Sequence, residues 1–124
     1  EKTAQDVFDS VEKELALEEA DTFGGDTPEE TWEMFLNALQ EGDLELASKY
    51  FVIDKQAENL AWFQQVENAG MLGEMIGDLM VSGLNLVSDR DNMKDYAIGR
   101  ENEMRKAYIK LRKNINNKWK LESI

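Results

Sequence analysis

Two helices in immediate succession, within residues 27–51 (TPEETWEMFLNALQEGDLELASKYF), constrain the fold of this chain more than any other stretch. Thr27 is a helix-capping residue, Pro28 suits the first helical position because its missing N–H is not needed there, and Glu30 completes a capping box. Gly42 predicts the end of the helix, since glycine readily adopts the left-handed conformation found after a helix. Between these signals the apolar residues recur at helical spacing and predict one buried stripe: Trp32, Phe35, Leu36 and Leu39.

The second helix of the pair follows at once, because Asp43 is a capping residue and the apolar positions after it share one face. Asp54 is placed to cap a further helix, whose apolar residues form a broad face that predicts contacts on two sides. The complete set of predicted helices spans about residues 3–20, 28–41, 43–51, 55–69 and 71–82.

The last predicted helix contains Gly73 and Gly77 in a segment too short and too acidic for a membrane dimer motif, so we expect close packing on a neighbouring helix. Its methionines fit either an ordinary core or an adaptable pocket wall. Both interpretations of the methionines stay open at the level of the sequence.

The first predicted helix has an apolar stripe and is followed by a break at residues 23–25 (FGG). The break divides the chain into an N-terminal helix with its linker, residues 1–26, and a main domain, residues 27–124. The helix is expected to pack on its own domain, to pair with a partner or to lead back to an anchor, and packing is the simplest of the three. Its stripe consists of Ala4, Val7, Phe8, Val11 and Leu15.

From Leu84 onward the apolar pattern changes from a helical period to alternation, which is typical of strands. The predicted strands span residues 84–88, 95–100, 104–113 and 118–124, and the last two form a hairpin around an Asn-rich turn. Helices followed by an antiparallel sheet constitute an α+β fold. In the third strand, three residues are predicted to face the core: Ala107, Ile109 and Leu111.

Composition excludes several kinds of chemistry. The 124 residues include no cysteine and no histidine, which removes thiol catalysis, disulfides and the commonest metal ligand and general base. The net charge of −12 disfavours nucleic acid and anionic membranes as partners. The acidic stretch from Asp89 resembles a calcium loop, but Lys94 and Arg100 occupy positions that require Gly and Glu, so no metal site and no cofactor are predicted.

The helical pair PEETWEMFLNALQEGDLELASKYF and the closing hairpin KAYIKLRKNINNKWKLESI resemble nuclear-transport-factor-2-like domains, over slightly more than a third of the chain. The resemblance implies a curved sheet around the first helix of the pair, with a cone-shaped cavity between them. It is closest to small bacterial domains of unknown function, many of them exported and anchored, so an anchor upstream of Glu1 is expected. The helical segment 54–83 is either an insertion near the mouth of the cone or the mark of a different α+β arrangement.

Enzymes of that superfamily, such as ketosteroid isomerases, place acidic or phenolic groups in the cone, and Asp95 beside Tyr96 is the best local candidate here. Neighbouring strand residues point to opposite faces, so no catalytic residue is assigned. We therefore expect a non-catalytic ligand-binding or interaction domain, with a lyase or isomerase that uses a buried carboxylate as the alternative. The aromatic residues that would line the cavity, if they are not simply core, are Trp32, Phe35, Tyr50, Trp62, Tyr96 and Trp119.

Two partners follow from these patterns. A cavity lined by aromatic side chains would take a small apolar ligand. The basic hairpin between Arg105 and Lys120 would serve as a homodimer contact, because it complements the acidic helices of another copy. No part of the sequence is expected to insert into a membrane, and nucleic acid is not an expected partner.

Overall fold

A computed structural model describes residues 3–81, 83–99 and 107–124. Five helices precede four strands, so the α+β fold class and the order of its elements are confirmed. The predicted helix residue 82 and the predicted strand residues 100 and 104–106 lie outside the described residues. The elements are α1 (Ala4–Ala20), α2 (Pro28–Gln40), α3 (Leu44–Lys49), α4 (Ile53–Asn68), α5 (Leu72–Val81), β1 (Gly83–Arg90), β2 (Met93–Gly99), β3 (Ala107–Lys113) and β4 (Trp119–Ser123).

The four strands form one antiparallel sheet in the order β1-β2-β3-β4. Its register places Tyr96 opposite Ile109 and Leu111 opposite Leu121, so these four side chains share one face. All four are buried against the helices, as the alternating pattern predicts. Ala107 shares that face but is exposed, because it begins its strand at the margin of the core. The cone shape stays a prediction.

The core lies between the inner face of the sheet and helix α2, with α3, α4 and α5 around it. Phe35 is at its centre, and the centroid of its ring is 5.6 Å from that of Phe51 and 5.8 Å from that of Phe63. Burial of such large apolar side chains is the dominant stabilising term in folding. The stripe of α2 that the sequence predicts is therefore the face around which the other elements pack.

Two segments of the helical region cover the outer edge of β4. The backbone N–H of Trp119 donates to the carbonyl of Gly25 at 3.0 Å, and that of Leu121 donates to the carbonyl of Tyr50 at 2.8 Å. Thr31 connects the first of these contacts to α2, because its hydroxyl donates to the carbonyl of Trp119 and accepts from the N–H of Gly25. The edge strand is thus paired rather than open.

The predicted caps of α2 are confirmed with one change. The side chain of Thr27 accepts from the N–H of Glu30 at 3.1 Å, and Pro28 occupies the first turn. The Glu30 carboxylate, however, accepts from the N–H of Asp26 at 2.9 Å, one residue before the position that a capping box requires. Gly42 has a φ of 75° and follows the last turn, as predicted.

The prediction that Asp54 caps α4 is wrong, because the helix already begins at Ile53 and no side chain caps it. The predicted contacts of α4 on two sides are confirmed, because the helix packs against both α3 and α5, but its apolar face is only narrowly buried. Phe63 is its one fully buried residue, while Ala61 and Trp62 face solvent. The helix packs as a surface element with a narrow contact.

Packing of α1 on the domain through its apolar stripe is contradicted. None of its residues is buried, and 59% of Phe8 is exposed. The helix is held at its C-terminal end instead, where Asn116 donates to the carbonyls of Glu18, Glu19 and Asp21 at 2.8 to 3.1 Å. The carbonyl of Glu18 also accepts from the N–H of Asp21, and that of Asp21 also accepts from the side chain of Asn114, so several bonds hold this end of the helix.

Candidate functional site

Five of the six aromatic pocket candidates lie in the hydrophobic core, and the rings of Trp32 and Phe35 are 5.5 Å apart. Their role in lining a ligand cavity stays a prediction. The five residues are Trp32, Phe35, Tyr50, Tyr96 and Trp119.

Trp62, the sixth candidate, lies outside the core, with 47% of its area exposed. Its ring lies 5.4 Å from that of the buried Phe63, so one side of the indole rests on the core residue beneath it. Trp62 lies about two and a half turns from the start of α4, on the side of the helix that faces α5. An exposed large aromatic side chain indicates a binding surface when further exposed apolar side chains adjoin it.

A groove of about 330 Å³ runs between α4 and α5, beside Trp62. Its apolar wall consists of Trp62, Val66, Met71, Met75 and Leu79, and the two carboxylates that line it are Glu74 and Asp78. We call this site the α4–α5 groove. Its volume falls within the usual range of about 300 to 1,000 Å³ for sites that bind small molecules.

The sharp reversal between the two helices forms this groove. Gly70 adopts a left-handed conformation with φ of 73°. Its N–H donates to the carbonyl of Glu67, and the N–H of Met71 donates to that of Val66. This pair of hydrogen bonds ends α4, and the chain then turns directly into α5. Met71 thereby lies at the corner of the groove, with 54% of its area exposed.

The helix α5 has two faces with different surroundings. Leu72, Ile76 and Leu79 pack against the core, whereas Gly73 and Gly77 lie on a side where an added Cβ would meet no atom within 4 Å. Close packing of these glycines on a neighbouring helix is therefore contradicted within this chain. The sequence left two interpretations of the methionines, core and groove wall. Met75 fits both, because it touches the core and also lines the α4–α5 groove.

Two other clefts are more polar. One of about 410 Å³ lies between the end of α1 and the β3–β4 hairpin, beside Glu14, Glu18 and Arg112. The other, of about 340 Å³, lies at the start of α2, where Asp26 and Lys118 form an ion pair at 2.8 Å. Charges of both signs line each of them, so neither selects the charge of a ligand.

Buried polar side chains in the described part of the chain are all hydrogen-bonded. The hydroxyl of Tyr96 donates to Glu29 at 2.9 Å. Burial, followed by this bond, raises the pKa of Tyr96 well above its ordinary value. Burial lowers the pKa of Lys120, and Asp21 opposes that shift. The hydrogen-bonded pairs Tyr96–Glu29 and Lys120–Asp21 each link segments that are distant in the sequence.

Asp95 and Tyr96, the best local candidate for acid–base chemistry, are not brought together. Asp95 lies near Arg90, at 3.6 Å, on the outer face of the sheet, while Tyr96 points into the core. Among the described residues, the buried polar or charged residues are Thr31, Ser48 and Lys120. The carboxylate of Asp21, with 8% of its side chain exposed, is paired with Lys120 rather than free for acid–base chemistry. The described residues also include no group of three or more acidic side chains arranged to hold a metal.

Among the described cations of the closing hairpin, Lys110 and Arg112 share the outer face of the sheet, whereas Lys113 and Lys120 do not face solvent there. Arg105 and Lys106 lie outside the described residues. Lys113 lies over the ring of Trp119 at 5.7 Å, on the inner side of the sheet. Lys120 is buried, and Arg112 is 3.9 Å from Glu122. The alternating pattern correctly places Tyr108 and Arg112 on a solvated face, but it takes no account of the linker that covers Lys120. The homodimer contact stays a prediction.

Compared with known proteins, this chain matches no family model, no curated protein and no solved structure. In the three described ranges, no helix has both the length and the apolar character needed to cross a membrane. The α4–α5 groove is therefore the feature of the molecule that bears on function. Sequence reasoning had identified Trp62 and the methionines, but not that one surface groove joins them.

Proposed function

We propose that this chain is a non-catalytic binding domain, and that the α4–α5 groove binds a small apolar ligand. The observation that carries the proposal is the exposed indole of Trp62 beside an apolar wall of methionine, valine and leucine side chains. Leaving such a surface in water forgoes about 25 cal/mol for each Å² that could be buried. A ligand that covers the wall recovers that free energy.

The composition of the wall also suits a ligand site. Methionine side chains are flexible and polarisable, so Met71 and Met75 adapt to an apolar molecule without a fixed outline. Leu79 packs on the core at the base of the groove, which anchors that wall. A rigid floor with adaptable sides is a common arrangement in binding grooves.

We also propose that the domain is a distant relative of nuclear-transport-factor-2-like domains. The packing of α2 against the inner face of an antiparallel sheet and the closing β3–β4 hairpin support the relationship. In such a domain, α4 and α5 would form an insertion, and the α4–α5 groove would be a site added by that insertion rather than the cone cavity.

The test is a titration with N-phenyl-1-naphthylamine, a neutral apolar fluorophore. We expect saturable binding, with energy transfer from tryptophan to the probe. Trp62→Ala should weaken binding by roughly tenfold or more, because the largest apolar contact is lost. Phe8→Ala is the matched control, since Phe8 is an exposed aromatic residue on α1, far from the groove in sequence, and binding should not change.

Equal weakening by both substitutions, or unchanged binding in Trp62→Ala, would contradict the proposal. Circular dichroism and thermal unfolding of each variant separate a loss of the site from a loss of the fold. Native mass spectrometry of the freshly purified protein supplies an independent result, because a bound compound adds mass that denaturation removes.

A further inference from the structure

We infer that the apolar stripe of α1 binds a basic amphipathic helix of another protein. All five side chains of the stripe are exposed: Ala4, Val7, Phe8, Val11 and Leu15. The stripe belongs to a different element from the α4–α5 groove, so it would be a second binding site of the molecule.

The α1 stripe points away from the domain that carries it. Leu17 lies about two and a half turns after Phe8 and therefore on the opposite side of the helix. It is Leu17 that lines, together with Ile53, the two clefts between the end of α1 and the domain. The four larger residues of the stripe are each between 44% and 59% exposed. Within the described part of the chain, the stripe is therefore left uncovered.

The spacing of the stripe suits a second helix. Phe8 and Leu15 stand at the a positions of a heptad, and Ala4 and Val11 at its d positions, which is the spacing that paired helices use. A capping box fixes the start of α1, and side-chain bonds from the β3–β4 turn hold its end. No residue of α1 is buried, so the helix lacks the packing of an apolar face that usually stabilises a helix. A partner helix along the stripe would supply that packing.

The charges beside the stripe are acidic on both of its sides. Glu12 and Glu19 occupy e positions and Glu14 a g position, where paired helices place the charges that select a partner. All three are exposed, and none forms an ion pair with another described residue. The helix has six acidic side chains against a single basic one, Lys13. A partner with Lys or Arg at its own e and g positions would meet opposite charges along the contact.

The same charges disfavour two other ways to cover the stripe. A second copy of α1 would bring carboxylates against carboxylates, because every charged side chain at an e or g position of α1 is acidic. An anionic membrane surface would repel the helix, and the amphipathic helices that bind such surfaces carry Lys and Arg on their polar face. A basic helix is the partner that both the apolar stripe and its charges attract.

Titration of labelled synthetic peptides with the full chain tests the inference, with fluorescence anisotropy as the readout. The probe, called the Lys peptide, has about three heptads with Leu at a and d and Lys at e and g. We expect binding at low salt with a dissociation constant in the roughly micromolar range, because one helix pair is a small interface. The same peptide with Glu at e and g, and a scrambled Lys peptide without an apolar face, should each bind more weakly by about tenfold or more.

The apolar contact is tested with Phe8→Ala. This change should weaken binding of the Lys peptide by roughly tenfold, because it removes the largest side chain of the stripe while alanine preserves the helix. Val87→Ala is the matched control, since Val87 is an equally exposed apolar residue on β1, at the opposite edge of the sheet from the turn that holds α1. Circular dichroism verifies that each variant keeps its helix content.

The charge contact is tested by a double substitution, Glu12→Gln with Glu19→Gln. The loss of two carboxylates beside the stripe should weaken binding of the Lys peptide by about five- to tenfold at low salt. Its control is Glu33→Gln with Glu45→Gln, which makes the same charge change at exposed positions of α2 and α3 and should leave binding within about twofold.

Several results would overturn the inference. One is absence of binding by the Lys peptide, or equal binding by the Lys peptide and either comparison peptide. Another is weakening by Trp62→Ala but not by Phe8→Ala, which would place the peptide in the α4–α5 groove. A dimer of the chain alone that Phe8→Ala dissociates, seen by analytical ultracentrifugation, would show that a second copy covers the stripe. Binding to phosphatidylcholine vesicles that Phe8→Ala abolishes would show that a membrane surface covers it.

Discussion

The Nζ atom of Lys120 lies 2.9 Å from Oδ2 of Asp21, and both side chains are withdrawn from solvent, with 1% and 8% of their areas exposed. The ammonium group also donates to the carbonyls of Phe23 and Lys49. One side chain on the last strand thus connects the α1–α2 linker and the end of α3. Desolvation of an ammonium group is costly, and these three acceptors offset that cost.

Replacing Lys120 by Met should lower the free energy of unfolding by about 3 to 5 kcal/mol, because the substitution removes the cationic partner of the nearly buried Asp21 carboxylate and one donor to each of two carbonyls. Urea-induced unfolding measures the change. Lys110→Met on the same hairpin is the control, since Lys110 is only half-buried, and we expect a change within about 0.5 kcal/mol. Equal effects of the two substitutions would show that the buried ion pair has no special role.

A second prediction concerns the bond from Tyr96 to Glu29. Burial and this bond raise the pKa of Tyr96 above 10.0, so the unfolded chain releases the phenolic proton at a lower pH than the folded protein does. The resulting stabilisation is complete below pH 10.0 and is lost as the pH rises above it. One such group contributes a slope of up to about 1.4 kcal/mol per pH unit.

Tyr96→Phe should therefore cost about 1 kcal/mol near neutral pH, through the lost hydrogen bond, and should also reduce the loss of stability above pH 10.0. Unfolding by urea at several pH values gives both quantities. Tyr108→Phe is the control, because the Tyr108 ring lies on the exposed face of β3. If the free energy of unfolding fell with pH in parallel for the wild-type and Tyr96→Phe proteins, this account of the Tyr96 phenol would be contradicted.

The elements of this fold were predictable because their signals are local. Thr27, Pro28 and Gly42 fix the ends of α2 through contacts within a few residues, and the period of the apolar residues indicates which face is buried. The helix start at Ile53 was missed because tertiary contacts determine it. The N–H of the preceding Val52 donates to Leu121 in the sheet, and that bond positions the first turn of α4 without a capping side chain.

The candidate site was only partly predictable, because burial depends on residues distant in the sequence. An alternating strand pattern places Lys120 on the solvated face, yet the linker around Asp21 covers it. Trp62 and Phe63 are neighbours in the chain, and no local signal tells which one is in the core. The groove needs the relative placement of two helices, whereas sequence periodicity describes each helix alone.

Asn116 provides a third prediction, because its side-chain amide donates to the carbonyls of Glu18 and Glu19 in the last turn of α1. Asn116→Ala removes the bonds to the carbonyls of Glu18, Glu19 and Asp21, and no buried side chain of α1 replaces them. We expect faster hydrogen exchange throughout α1, by roughly tenfold for about 1.4 kcal/mol of lost local stability, with unchanged exchange in the core strands.

The control for this experiment is Ile115→Ala, which changes an exposed apolar side chain in the same turn without removing a donor to α1. Hydrogen-exchange mass spectrometry resolves the peptides of α1 from those of the sheet. Exchange that rises equally in α1 and in β3 would mean that the amide of Asn116 stabilises the whole domain rather than one helix.

Replacement by alanine should change the stability of the fold in opposite directions at Gly24 and at Gly77. Gly24 has φ of 135°, and a Cβ built there would lie 2.5 Å from the carbonyl oxygen of Trp119, so Gly24→Ala forces the linker away from β4. Gly77 lies inside α5, and a Cβ there would meet nothing within 4 Å. Gly24→Ala should destabilise the fold by more than about 2 kcal/mol, and Gly77→Ala should stabilise it by about 0.5 to 1 kcal/mol. Thermal and urea unfolding measure both changes. A destabilising Gly77→Ala that becomes more severe at higher protein concentration would instead show that this face of α5 packs against a second copy of the chain.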